Sequence, residues 1–327
     1  MAPSLLPASP STNKNETTPS EETENAQAKL RVFEYTDAHH AEDLDGLLIG
    51  EHGYKYRLLE NRVMPPYVTP DRYARSRRVQ TRPTDICFVS YPKSGSTWLS
   101  YILVLMTENN QGATLRDSLH WVESSWTYPR SEEDLEKSSD PRIFKSHMPY
   151  GMALGGIPSQ TQCRYIYIAR NPKDVVTSYY HFEKEKSWAG YYGGNWDHWL
   201  DTFTRGQVQR GDWFDHVLSW WAEREHGNIL FLKYEDLKQD PVSVVGEIAA
   251  FLGIELAADK LESILEKSRF QSMKSDDVLG DVKEFNKFFR KGKVGSWKEQ
   301  FSGAQVEAFD RLCEERLRGT GLTFDGL

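Results

Sequence analysis

Ile86-Cys87-Phe88-Val89-Ser90-Tyr91-Pro92-Lys93-Ser94-Gly95-Ser96-Thr97-Trp98 joins a short apolar run to a helical pattern through a loop of small residues. An unbroken apolar run bounded by turn residues reads as a strand buried on both faces. From Ser96 to Met106 the pattern reads as a largely buried helix. Small residues between the two let the backbone curl, so that the amides of the first helical turn face outward. Those amides and the helix dipole form an anion cradle, to which Lys93 adds a full charge. The alternative is an ordinary strand–helix turn with a solvated lysine; Ser-Gly-Ser-Thr directly after Lys93 favours the cradle. A Walker A loop is excluded, because there the lysine follows the last glycine. Here Lys93 precedes Gly95.

The same alternation continues outward. Tyr165-Ile166-Tyr167-Ile168 and Ile229-Leu230-Phe231-Leu232 read as buried strands. Pro172–Phe182 reads as a helix with Pro in its first turn, and further helical patterns follow around 242–252 and 259–267. This predicts an α/β fold: a single domain with a central parallel sheet flanked by helices on both faces. Residues 1–29, rich in Ser, Thr, Pro, Asn and Glu, read as a disordered tail, leaving 30–327 as the domain. With 40 Lys+Arg against 48 Asp+Glu, the net charge of −8 argues against a general nucleic-acid binder. Three scattered cysteines, Cys87, Cys163 and Cys313, fit neither a disulfide framework nor zinc spacing and suggest a reducing compartment. With no apolar run of membrane-spanning length and an acidic N-terminus, a cytoplasmic protein without a membrane partner is expected.

Three further clusters carry chemistry. Lys145 and His147 lie two apart, so an extended segment puts both side chains on one face. A neutral His beside a cation is a plausible base; a structural histidine is the alternative. The other histidines show no partners at metal spacing, so no metal is assigned. Arg170 stands where the second strand ends, the ligand side of an α/β sheet. Ser178, two turns into the next helix, can donate to the same anion. Equally, Arg170 can pair with Asp174 while Ser178 packs in the sheet. Finally, Phe288 to Lys298 sets Arg290, Lys291 and Lys293 beside Gly292 and Gly295, as suits a second phosphate; a solvated charged face is the other reading. Arg72, Arg75, Arg77, Arg78 and Arg82 form another basic run, read as solvated surface.

Together, YPKSGSTW (91–98), FKSHMP (144–149), RNPKDVVTSYYHF (170–182), LKYEDL (232–237) and RKGKVGSWKEQF (290–301) resemble, in order, the cytosolic PAPS-dependent sulfotransferases, from about residue 84 to 310. The resemblance implies a P-loop-like phosphosulfate-binding strand–loop–helix and PAPS (3′-phosphoadenosine 5′-phosphosulfate) as co-substrate, without a metal. The amides of Ser94, Gly95, Ser96 and Thr97 would hold the 5′-phosphosulfate, with Lys93 at the leaving oxygen. Trp98 and Phe270 would sandwich the adenine, Tyr234 would touch its edge, and the segment from Ser268 to Met273 would flank it. Arg170, Ser178, Arg290, Lys291 and Gly292, beside Phe289, would take the 3′-phosphate. His147 would be the general base and Lys145 would steady charge beside it. Gly295-Ser296-Trp297 departs from the family's usual Gly-Asp-Trp. The family's dimerisation stretch, here Lys298–Glu307, has Gly303 in place of a β-branched residue, so a monomer or weak homodimer is expected.

The implied activity is sulfuryl transfer to a hydroxyl or amino group of a small molecule. Alternatives are a carbohydrate or protein sulfotransferase, which usually carries an anchor and luminal disulfides, or a nucleotide-binding module without catalysis. A nucleotide kinase is disfavoured by the position of Lys93. Trp121, Trp126, Tyr128, Phe182 and Trp188 are candidate walls of the acceptor pocket, Phe182 foremost.

Overall fold

In this computed structural model, the described residues are 46–108, 115–124, 131–185, 191–275 and 290–327. They fall within one compact unit. The tail expected over residues 1–29 lies outside them.

A small antiparallel sheet comes first: β1 (Leu48–Ile49), β2 (Lys55–Leu59) and β3 (Arg62–Met64), with Leu48 opposite Tyr56 and Arg57 opposite Met64. The sequence reading missed it, because its strands are short and half-exposed. Helix α1 (Pro70–Arg78) follows, capped by the Thr69 side chain. The arginines expected to be solvated correct that reading. Arg77 donates to the carbonyls of Ala153 and Gly156 at 2.6 and 2.7 Å, and Arg82 to that of Ser138 at 2.9 Å. Arg72 donates to the Tyr67 carbonyl at 2.8 Å. They bind loop backbone to the domain.

The central sheet is parallel, in the order β5 (Ile143–Ser146), β4 (Ile86–Val89), β6 (Arg164–Ala169), β7 (Ile229–Lys233). Because strand side chains alternate, each strand feeds two cores. Ile86, Phe88, Ile143, Ile166 and Ile168 enter one core with α2 (Ser96–Thr107). Cys87, Val89, Phe144, Tyr165 and Tyr167 enter the other, with α3 (Pro172–Glu185), α4 (Trp196–Thr204) and α5 (Trp213–Trp221). Later helices divide likewise: α6 (Pro241–Leu252) and α7 (Ala258–Lys267) join the first core, and α8 (Gly303–Leu317) joins the second. Trp199, Trp213 and Trp220 are fully buried in the second core, where Tyr167 stacks on Trp220 and Phe231. The parallel α/β reading therefore holds, and the loops after β4, β5 and β6 open on one edge of the sheet.

Candidate active site

Those carboxyl ends surround a cavity of about 740 Å³. Its cradle is the turn from β4 into α2. Lys93 and Gly95 adopt left-handed backbone, φ 70° and 103°. Glycine is required at 95, since a Cβ there would stand 2.7 Å from the Tyr234 ring. No side chain caps α2 at its N-terminus, so its first amides are open to the cavity. Ser94 Oγ, Trp98 Nε1 and Arg170 Nε are buried polar atoms without a hydrogen-bond partner among the described residues. Such atoms are costly unless a ligand satisfies them.

Across the cradle, β5 delivers Lys145 and His147 to the same cavity. His147 is buried, and its Nδ1 lies 2.8 Å from the Ser90 carbonyl. A carbonyl only accepts, so Nδ1 carries the proton and Nε2 is the free acceptor. The backbone around it is fixed: His147 N–H donates to Glu123 Oε1 at 2.8 Å, and His216 Nε2–H to the His147 carbonyl at 3.1 Å. Burial, then the Lys145 and Arg210 cations, hold the His147 imidazole well below the usual histidine range. Lys145 lies 4.0 Å above the Trp121 ring, and burial draws its ammonium down to about 7. Glu123 is paired with fully buried Arg210 at 3.6 Å. Glu123 and Arg210 carry no recognisable motif, and the sequence reading missed both.

At the other end, Arg170 Nη1 and Nη2 donate to the carbonyls of Lys93 and Lys293 at 3.2 and 3.1 Å. It also pairs with Asp174 at 3.5 Å, as the alternative reading of Arg170 expects. Asp174 is the hub of this end. It accepts from Gly295 N–H at 2.8 Å, Ser296 Oγ at 3.0 Å and Trp297 N–H at 3.1 Å. Arg290 donates to Ser296 Oγ at 2.7 Å, and Lys291 pairs with Glu299. The basic loop is thus folded onto α3 with its cations beside Ser178 on the cavity wall. Opposite stand Trp98, Tyr234, Ser268, Phe270 and Met273. A Cβ on Gly292 would lie 2.3 Å from the Phe270 ring, so glycine lets this loop close over that ring.

Every predicted site residue except Phe289 lines the cavity or the cradle backbone; Phe289 lies outside the described residues. So do Trp126, Tyr128 and Trp188, whereas Trp121 and Phe182 are on the wall. Phe182 carries the Lys93 ammonium 4.3 Å above its ring. Glu51, His52 and His198 bring three ligand-type atoms within 4.8 Å of one another, the one such group among the described residues. It is not part of the cavity lining.

Comparison with protein-family models matches residues 83–321 to the sulfotransferase domain. The chain belongs to the sulfotransferase family. This sulfotransferase is 37% identical over 270 residues to mouse sulfotransferase 1B1, covering 77% of this chain and 89% of that protein. It is 31% identical over 288 residues to human sulfotransferase 1C2, covering 83% and 95%. Among solved structures it resembles mouse sulfotransferase SULT7A1 complexed with PAP, with a TM-score of 0.69 and 30% identity, over 81% of this chain and 95% of that one. An Arabidopsis putative steroid sulphotransferase, at 21% identity and a TM-score of 0.62, shares the fold.

Proposed function

We propose that this enzyme transfers the sulfuryl group of PAPS to a hydroxyl or amino group of a small molecule, with His147 as general base and Lys93 and Lys145 as its cations. The observation that carries the reading is one cavity that joins the uncapped helix N-terminus to the Nε2 face of a buried, neutral histidine. When bound, PAPS supplies an electrophilic sulfur and a phosphate leaving group. The unpartnered Ser94 Oγ, Trp98 Nε1 and Arg170 Nε fit such a ligand, as does the glycine-lined approach at Gly95 and Gly292.

The residues then divide the work. The amides of Gly95, Ser96 and Thr97, with Lys93, would receive charge at the bridging oxygen, where preorganised donors act most strongly, while the Ser94 N–H donates to the Tyr91 carbonyl at 3.3 Å. His147 Nε2 takes the acceptor's proton, the Ser90 carbonyl holding the ring in the required tautomer. Lys145 stands beside it to offset charge at the acceptor. Arg170, Ser178, Arg290, Lys291 and Gly292 hold the 3′-phosphate, with Phe289 in the same loop. Trp98, Tyr234, Ser268, Phe270 and Met273 enclose the adenine, and Phe182 lies on the acceptor side.

We place the enzyme in the cytoplasm, on the support of three buried free cysteines; among the described residues no helix is long and apolar enough to cross a membrane. A monomer or weak homodimer fits the Lys298–Glu307 stretch, where Gly303 opens α8 and Val306 packs against the protein's own core. The deciding experiment is incubation with labelled PAPS and a mixed acceptor library. A sulfated product whose formation needs His147 is expected; no product from any acceptor, or PAP binding no tighter than AMP, defeats the reading.

A further inference from the structure

Helix α3 begins at the anion-binding end and runs toward the acceptor end. Ser178 and Glu183 are five residues apart, about 7.5 Å along the axis at 1.5 Å per residue. Tyr179 and Glu183, at i and i+4, share a helix face. Glu183 is fully buried, and neither carboxyl oxygen has a partner among the described residues. It is also the one carboxyl among the described residues of a wall that carries Lys93, Lys145, Arg170, Arg290 and Lys291.

An unpaired buried carboxyl is expensive, and beside a site for an anionic donor it is also repulsive when ionised. The phenols of Tyr54, Tyr67, Tyr91 and Tyr179 stand close enough to feel its charge. None of them is its hydrogen-bond partner: Tyr54 accepts from Gln209 N–H at 3.0 Å, Tyr67 is bonded to the Arg210 side chain, and Tyr91 and Tyr179 donate to the carbonyls of Gly211 and Gln209 at 2.9 and 3.3 Å. Lys93, the one cation acting on Glu183, lies over Phe182. A carboxyl thus stands at the cavity wall with no hydrogen-bond partner among the described residues.

We propose that Glu183 is an acceptor-recognition residue, and that the acceptor carries a protonated amine besides the group that is sulfated. This rests on the sulfotransferase reading and names the acceptor class for the same site. Burial raises the Glu183 carboxyl well above the usual range, opposed by Lys93, which favours its protonated form in the empty cavity. An ammonium entering the pocket favours the carboxylate; Glu183 gives its proton to solvent and accepts hydrogen bonds from the amine.

Tyramine and 4-ethylphenol share ring and hydroxyl and differ by the ammonium, so titrating both into the protein–PAP complex isolates Glu183. Calorimetry at pH 7 is expected to show tyramine binding at least ~10-fold tighter, as a charge-assisted hydrogen bond allows. Its heat should depend on the buffer's ionisation enthalpy, reporting the released proton in wild-type protein. Glu183→Gln keeps the shape and removes the charge; it is expected to abolish both the preference and the proton release. Equal or absent binding of the two phenols to a protein that binds PAP overturns the proposal alone. So does an unchanged preference in the Gln variant. Failure to bind PAP defeats instead the reading on which it rests.

Discussion

His147 is locked to Ser90 by the hydrogen bond from its Nδ1–H to a carbonyl in the loop that joins β4 to α2. His147 and the loop after β4 are therefore one mechanical unit: the residue after β4 sets the tautomer of the residue after β5. Ser90 lies three positions before Lys93, so displacing the loop would also rotate the imidazole.

Replacing His147 by alanine should lower turnover by ~10²-fold or more, the usual contribution of a general base, while PAP affinity stays within a few-fold. The wild-type pH profile tests the same point. Burial and Lys145 hold this histidine below its ordinary range, so its neutral form persists below pH ~6.5. The acid limb of kcat should accordingly fall below pH ~6.5 and move when Lys145 is replaced. An acid limb at or above that value, unmoved in the Lys145 variant, contradicts the assignment.

Asp174 offers a separate test, because among the described residues its carboxylate is bonded to the basic loop and to Arg170. Asp174→Ala releases Gly295, Ser296 and Trp297 together and leaves Arg170 without its carboxylate. Loss of charged hydrogen bonds worth ~1.5–3 kcal/mol predicts PAP binding weaker by ~10–100-fold. AMP, which lacks the 3′-phosphate, should weaken far less. Ser296→Ala, which removes only the link between Arg290 and Asp174, should give a smaller loss in the same direction. Equal losses for PAP and AMP would place the loop elsewhere in recognition.

The sheet was legible because continuous apolar runs such as Ile86–Val89 leave few alternatives to a strand buried on both faces. The cradle was legible because its residues are consecutive. What the sequence could not show is what joins distant residues. Asp174 appeared there only as a candidate partner for Arg170, yet it organises a loop more than a hundred residues away. Glu123 and Arg210 support His147 from two unrelated segments, and no spacing rule connects them. Ser296 shows how a departure can be absorbed: where the family usually has aspartate, its hydroxyl accepts from Arg290 and donates to Asp174. Glu183 was passed over at the end of a helix motif, because burial without a partner exists only in three dimensions.

Gly292 offers a way to separate the proposed adenine contacts from the proposed 3′-phosphate contacts. Its φ is +61°, and an added Cβ would overlap the Phe270 ring. Gly292→Ala must either shift the loop or push Phe270 out of the adenine side. Left-handed backbone alone costs an alanine ~1–2 kcal/mol, so roughly a 10-fold loss is expected from strain before any loss of stacking. Unlike the Asp174 variant, this one should weaken AMP as well as PAP, because the ring it displaces is the one proposed to stack on adenine. Fluorescence titration of both nucleotides would show this. A loss confined to PAP would mean that Phe270 does not touch adenine.

Lys145 supplies the last test, through protons counted on binding. In the free protein burial brings its ammonium to about 7, so at pH 8 most of the population is neutral. An anionic nucleotide in the cavity favours the charged form and raises that value again. Binding of PAP at pH 8 should therefore take up a fraction of a proton, and the uptake should fade toward pH 6, where Lys145 is already charged. The sign is opposite to the release expected at Glu183, which belongs to the amine and not to the nucleotide. Calorimetry in two buffers of different ionisation enthalpy measures the uptake directly. Lys145→Met should remove it; uptake that persists in that variant would assign the proton to another group and leave Lys145 outside the nucleotide's field.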